Sequence, residues 1–241
     1  MMNLVLDTHT HSIASGHAYS TIQEMAQAAS EKGLELLGIS EHAPAMEGTC
    51  NEIYFRNLQV IPDKICGVEM LFGIEANIVD YEGNTDVSTR TFECLDYGIA
   101  SLHINCIKPG TRQENTNAYL RVMENPYINI IGHPDDSRFE IDYQQLVEKA
   151  KETNTLLEVN NTSLSPDTLR RNCKNNYYEM LALCTKLKVP IIVNSDAHIS
   201  FDVGNFQYAL ALLEDIDFPE KLIANLSVER YKSLLSRKPR P

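Results

Sequence analysis

Seven short apolar, β-branched runs recur along this chain, and longer polar stretches of helical periodicity separate them. The runs cover residues 4–6, 36–40, 71–76, 97–102, 128–131, 156–160 and 191–194. Helical spacing is readable over 20–32, 117–124, 142–153, 176–187 and 205–214. Strands alternating with helices pair in parallel through right-handed crossovers. A chain of 241 residues is close to the roughly 250 of a single α/β barrel. No internal repeat, low-complexity segment or linker interrupts it, so residues 1–241 are expected to form one domain. The first helix should be capped by Ser20, with Gln23 three residues on, and should end at Gly33. Residues 43–70 and 77–96 read as elaborated loops.

All seven histidines stand in one relation to those runs. His9 and His11 follow the first, and His17 lies further along the same loop. His42, His103, His133 and His198 each lie just beyond a later run. A lone histidine at a strand end is usually a structural residue. Seven are a different case, because strand C-termini in a parallel barrel meet at one face. So many imidazoles crowded together without a cation would be a costly gathering of polar groups, and imidazole is the commonest metal ligand.

The spacing points the same way. His9 and His11 are two apart on an extended segment and face the same side, roughly 7 Å apart at Cα. Asp196 and His198 repeat that spacing after the last run. Glu75 ends the run in "MLFGIEANI" and offers two oxygens to bridge two ions. Nine ligands exceed one coordination sphere and suit two or three metals with open positions.

Composition narrows the substrate. The formal net charge of −12 repels nucleic-acid backbone unless a local patch overrides it. The one basic run is the tail "SRKPRP", Ser236 to Pro241. An anionic substrate would therefore be drawn by bound metal, and phosphate is the obvious candidate. No apolar run reaches the 18 to 20 residues or so of a membrane span. The six cysteines hold no C-x-x-C pair, and neither a leader nor a disulfide scaffold is evident, so the expected location is cytoplasmic.

"DTHTHS", His17, "SEH", Glu75, "SLH", "GHP" and "SDAH" together resemble the PHP (polymerase and histidinol phosphatase) superfamily, most closely its YcdX-like phosphatase branch. The resemblance implies a distorted (β/α)7 TIM-like barrel with a trinuclear centre, usually zinc, and phosphoesterase activity. It implies a first metal on His9, His11, Glu75 and Asp196. A second would share Glu75 and add His103 and His133, and a third would take His17, His42 and His198.

The resulting expectation is hydrolysis of a small phosphomonoester, with Asp196 also serving as general base. The alternatives are a phosphodiesterase or nuclease acting on short substrates, an amidohydrolase-like hydrolase, and a non-catalytic metal-binding protein. No lysine stands at a strand end where amidohydrolases carboxylate one. Manganese or iron could replace zinc, because histidine–carboxylate sites accept several ions. Arg138 and Lys108 are candidate anion contacts. Glu158, Asn160 and Asp7 are expected to orient ligands by hydrogen bonds. The apolar segments 222–226 and 234–235 would pack on the barrel or on a second copy in a homo-oligomer.

Overall fold

The computed structural model describes residues 2–235; the basic tail lies outside the described residues. The elements run β1 (Leu6–Asp7), α1 (Ile22–Glu31), β2 (Leu36–Ile39), α2 (Glu52–Asn57), β3 (Lys64–Ile65) and β4 (Val68–Asn77). After them come α3 (Thr89–Phe92), β5 (Tyr97–Ser101), α4 (Arg112–Val122), β6 (Ile130–Ile131), α5 (Tyr143–Thr153) and β7 (Leu156–Asn160). The last are α6 (Cys173–Leu187), β8 (Ile191–Asn194), α7 (Gln207–Asp215) and α8 (Val228–Leu234). Seven strands pair in parallel in the order β1-β2-β4-β5-β6-β7-β8, and β3 adds an antiparallel partner to β4. The result is a distorted TIM-like barrel with helices around it.

Two expectations need correction. Neither long stretch is loop throughout: 43–70 carries α2, β3 and the start of the ten-residue β4, and 77–96 carries α3. The cap of α1 is Thr21, not Ser20. Glu24 returns a bond to the Thr21 amide, so a full capping box forms one residue later than expected. The Ser20 hydroxyl instead accepts from the Ser200 amide, tying the first loop to the last. Gly33 follows the helix with φ of 76°, as expected.

The barrel interior is a small apolar cluster to which Leu6, Leu36, Tyr97, Ile99, Ile130, Leu156 and Ile192 contribute. The larger core fills the space between strands and helices. Tyr97 is the bulkiest interior group. It fits because Gly38 and Gly73 face it; a Cβ on Gly73 would stand 2.5 Å from the ring. Ala224, Val228 and Tyr231 join the interior cluster, so the C-terminal segment plugs the end where the strands begin. This settles where residues 222–226 pack, since Leu222 and Ile223 are buried as well.

The seam between β1 and β8 has no regular ladder. Near the strand C-termini it is closed by His11 N donating to the Ala197 carbonyl at 2.8 Å and Asp196 N to that of His9 at 2.9 Å. At the other end one side chain does the work of a strand. Asn225 accepts from Val193 N at 2.8 Å and donates to the carbonyls of Leu6 and Val193 at 2.9 and 2.7 Å. All six cysteines are free, and among the described residues no helix is long and apolar enough to cross a membrane.

Replacing Asn225 by Leu strands three buried backbone groups and should cost about 2–4 kcal/mol in urea unfolding at fixed metal. Gly73→Ala should cost about 1–3 kcal/mol by overpacking against Tyr97.

Candidate metal centre

The strands deliver their terminal side chains to one point. Glu75 stands near the end of β4, and His9, His11, His42, His103, His133, Asp196 and His198 lie just beyond the strands that precede them. The imidazoles form a continuous chain of ring contacts. Centroids are 5.1 Å apart for His9 and His11, 4.2 Å for His11 and His42, and 4.9 Å for His17 and both His42 and His198. His103 and His133 are 5.2 Å apart. All nine residues singled out in the sequence are thus brought together.

Within this cluster four overlapping groups have ligand atoms within 4.8 Å of one another. They are His9–His11–Asp196, His9–Glu75–His133, His42–Glu75–His103 and His11–His42–His198. His17 belongs to none of them, but its Nε2 is 3.2 Å from Nε2 of His198.

The rings are held from behind. His9 Nδ1 meets Glu158 Oε1 at 2.7 Å, His11 Nδ1 meets Ser15 Oγ at 3.1 Å, and His103 Nδ1 meets Asn77 Oδ1 at 2.8 Å. His198 Nδ1 meets its own loop at the Asp196 carbonyl, 2.9 Å away. Each of these bonds leaves Nε2 free to face the cluster. The supports are themselves supported. Ser15 donates to Glu41 at 2.6 Å, and Asn77 donates to Asp86 at 2.8 Å. Glu158 accepts in addition from His133 N, Asn194 and Asn160 at 2.8, 2.8 and 3.1 Å.

On the inner side the pattern reverses. His9 Nε2, His11 Nε2, His42 Nδ1 and Glu75 Oε2 are buried without a hydrogen-bond partner. His42 Nδ1 lies 2.6 Å from Glu75 Oε2, yet without hydrogen-bond alignment. Buried polar atoms are almost always paired, so four such atoms aimed at each other mark a place for a cation. Imidazole nitrogens with carboxylate oxygens are the donor set of zinc, manganese or iron. The residues fit such ions.

The electrostatics agree. Burial works to depress the pKa of His9, but the carboxylates of Glu158, Glu75 and Asp196 outweigh it and hold it well above the usual value. Burial, with His42 and His198 nearby, pushes His11 well below. Against their burial, Glu75 is held well below the carboxylate range by His9, His103 and His42. Asp196 is likewise held low, by His9, His11 and Arg170. Three carboxylates around His9 call for positive charge. Backbone strain is stored here too: His133 and Asp196 have φ of 28° and 58°, conformations that cost non-glycine residues of order 1–3 kcal/mol.

The remaining candidates divide. Glu158 supports His9 as expected, and Asn160 donates to Asp196 Oδ2 at 3.1 Å. Asp7 does not reach a ligand; it accepts from Ser195 Oγ at 2.5 Å and from Gly204 N at 2.9 Å, fixing the loop after β8. Arg138 is turned onto Asp136, with Nε 2.6 Å from Oδ2. Lys108 is exposed. The cation that does reach the site is Arg170, which the sequence did not single out. Its Nη2 is 3.1 Å from Asp196 Oδ2, and Nη1 donates to Ser163 at 2.8 Å and Asn160 at 3.2 Å. Glu41, Ser15, Asn77 and Asp86 were also not singled out; only Glu41, beside His42 in "SEH", had a local signal.

Comparison with known proteins gives a consistent picture. Residues 7–165 match the model of the PHP domain. A probable phosphatase of Acetivibrio thermocellus is 44% identical over 237 residues, covering 98% of this chain and 97% of that protein. One from Clostridium novyi is 47% identical, with coverage of 98% and 96%. Among solved structures, histidinol phosphate phosphatase of Lactococcus lactis, in complex with zinc, L-histidinol and phosphate, superposes with a TM-score of 0.59. It is 19% identical, over 89% of this chain and 94% of that one, a likeness of fold. On the extent of the family match and the identity to these relatives, this chain belongs to the PHP domain family.

Proposed function

We propose that the chain is a metal-dependent phosphatase that hydrolyses small phosphomonoesters at a trinuclear centre. The observation that carries this reading is the set of inward-facing, unpartnered atoms on His9, His11, His42 and Glu75. The names of the relatives support it. His9, His11, Glu75 and Asp196 would hold the first ion, Glu75, His103 and His133 the second, and His17, His42 and His198 the third. Zinc is the ion favoured, with manganese or iron able to replace it.

Divalent cations held by these residues would polarise the phosphoryl group and bring the pKa of water toward neutrality. The protein does the rest. Asp196 takes a proton from the attacking water as the water oxygen bonds to phosphorus, its Oδ2 positioned by Asn160 and Arg170; the P–O bond to the alcohol breaks, and the departing oxygen takes a proton from solvent. Arg170 has donors to spare and is only partly buried, at 17% side-chain exposure. It can take a phosphate oxygen through a charge-assisted bond. The imidazoles do not wander, because Glu158, Ser15 and Asn77 fix their outer nitrogens. The acidic surface leaves short esters as substrates rather than long nucleic acid.

Metal-loaded protein should hydrolyse p-nitrophenyl phosphate and lose activity to a strong chelator, regaining it with zinc or manganese. Mass spectrometry should count three ions per chain; inertness toward a broad phosphomonoester panel while fully loaded would refute the reading. Glu158→Gln puts an amide donor against the donors His133 N and Asn160 Nδ2. It should lower metal affinity and kcat by about 10–100-fold with the circular dichroism spectrum unchanged.

A further inference from the structure

The cluster is not sealed throughout. His9, His11 and Glu75 are fully buried, whereas His198, Arg170 and His103 have side-chain exposures of 29%, 17% and 12%. His17 is exposed. These four groups mark the mouth through which a substrate enters and from which the alcohol part of an ester projects.

The loops that carry these four groups also carry exposed apolar residues. Among the described residues, seven large hydrophobics are strongly exposed: Ile13, Tyr19, Ile53, Val60, Ile104, Leu169 and Phe201. Three of them adjoin mouth groups in the chain. Ile104 follows His103, and Leu169, at 86% exposure, precedes Arg170. Tyr19, at 75%, is two beyond His17. Over residues 17–20 exposure and burial alternate, so Tyr19 and His17 share a face. The Tyr19 amide is bonded to the His198 carbonyl at 2.8 Å, and Ile13 N to that of Ser20 at 2.8 Å, which brings Ile13 beside them. Phe201 is separate, lining a cleft with Gln23, Gln27 and Ile65. Single exposed hydrophobics need no explanation, but four on the loops that bear a polar, charged opening point to a binding surface. Such an opening would bind a small polar ester without help from apolar neighbours.

We propose that Ile13, Tyr19, Ile104 and Leu169 form an apolar collar that grips the alcohol portion, so that the preferred substrates are phosphomonoesters bearing a flat or bulky apolar group. The inference rests on the phosphatase reading and refines its substrate class. A tyrosine supplies large contact area at small entropic cost, and its ring stacks on planar groups.

The test compares 2-phenylethyl phosphate with ethyl phosphate, two alkyl esters whose leaving groups are similar, so that their ratio reads contact rather than chemistry. The kcat/KM of the arylalkyl ester should exceed that of ethyl phosphate by roughly tenfold or more, mostly through KM. Tyr19→Ala and Leu169→Ser should each bring the ratio several-fold closer to one. A ratio near one in the unaltered protein overturns the collar while leaving the phosphatase reading intact. Calorimetric binding of the matching non-hydrolysable phosphonates to metal-loaded protein reads the collar independently of turnover: tighter binding of the arylalkyl phosphonate supports it, and equal binding overturns it. Variants that change the oligomeric state by light scattering but leave the ratio untouched would make the patch a contact between copies and also overturn the proposal.

Discussion

A carboxylate sealed from water must be answered by positive charge, and Glu75 sets that demand for the whole face of the barrel. His133 Nε2 lies 2.9 Å from its Oε1, His103 Nε2 lies 3.2 Å from the same oxygen, and His42 Nδ1 lies 2.6 Å from Oε2. Neutral imidazoles alone answer it poorly, and cations answer it well. The parallel sheet is what allows the arrangement. Because neighbouring strands run the same way, side chains far apart in sequence arrive at the same depth, as the pairing of Glu75 with Ile99 on β5 illustrates.

Outside that centre lies a second layer that decides which nitrogen each ring presents. Glu41 acts through Ser15 on His11, Asp86 through Asn77 on His103, and Glu158 directly on His9. Each chain of bonds ends in a carboxylate, so the outer ring nitrogens of these three histidines are satisfied, while His9 Nε2, His11 Nε2, His42 Nδ1 and Glu75 Oε2 are not. That asymmetry separates a cation site from a structural polar cluster. The strained backbones of His133 and Asp196 are tolerated because surrounding bonds over-determine them; the His133 amide, for example, is fixed by Glu158.

Much of this was legible in the chain, and the exceptions have physical reasons. Strands Leu156–Asn160 and Ile191–Asn194 coincide with the apolar runs because full burial leaves no other pattern there. The two-residue β1 and β6 are shorter than their runs, since apolar character outlasts ladder pairing where the barrel is irregular. In the stretch 43–70, α2 escaped notice because six residues are too few for a periodic signal. The clustering of the nine residues was legible because every histidine follows a strand and Glu75 and Asp196 stand at strand ends. Arg170 was not, because it reaches Asp196 from a long irregular loop. Arg138 looked better in sequence, next to "GHPDD", but Asp136 two residues earlier captures it.

The seam has a consequence for how the molecule is made. The strand just before His9 and His11 gains its final support only from Asn225, more than two hundred positions later in the chain. Asp196 and His198 arrive nearly as late. The cluster therefore comes together only when both sides of the seam have been made, so a choice among ions would fall to the assembled barrel rather than to separate imidazoles.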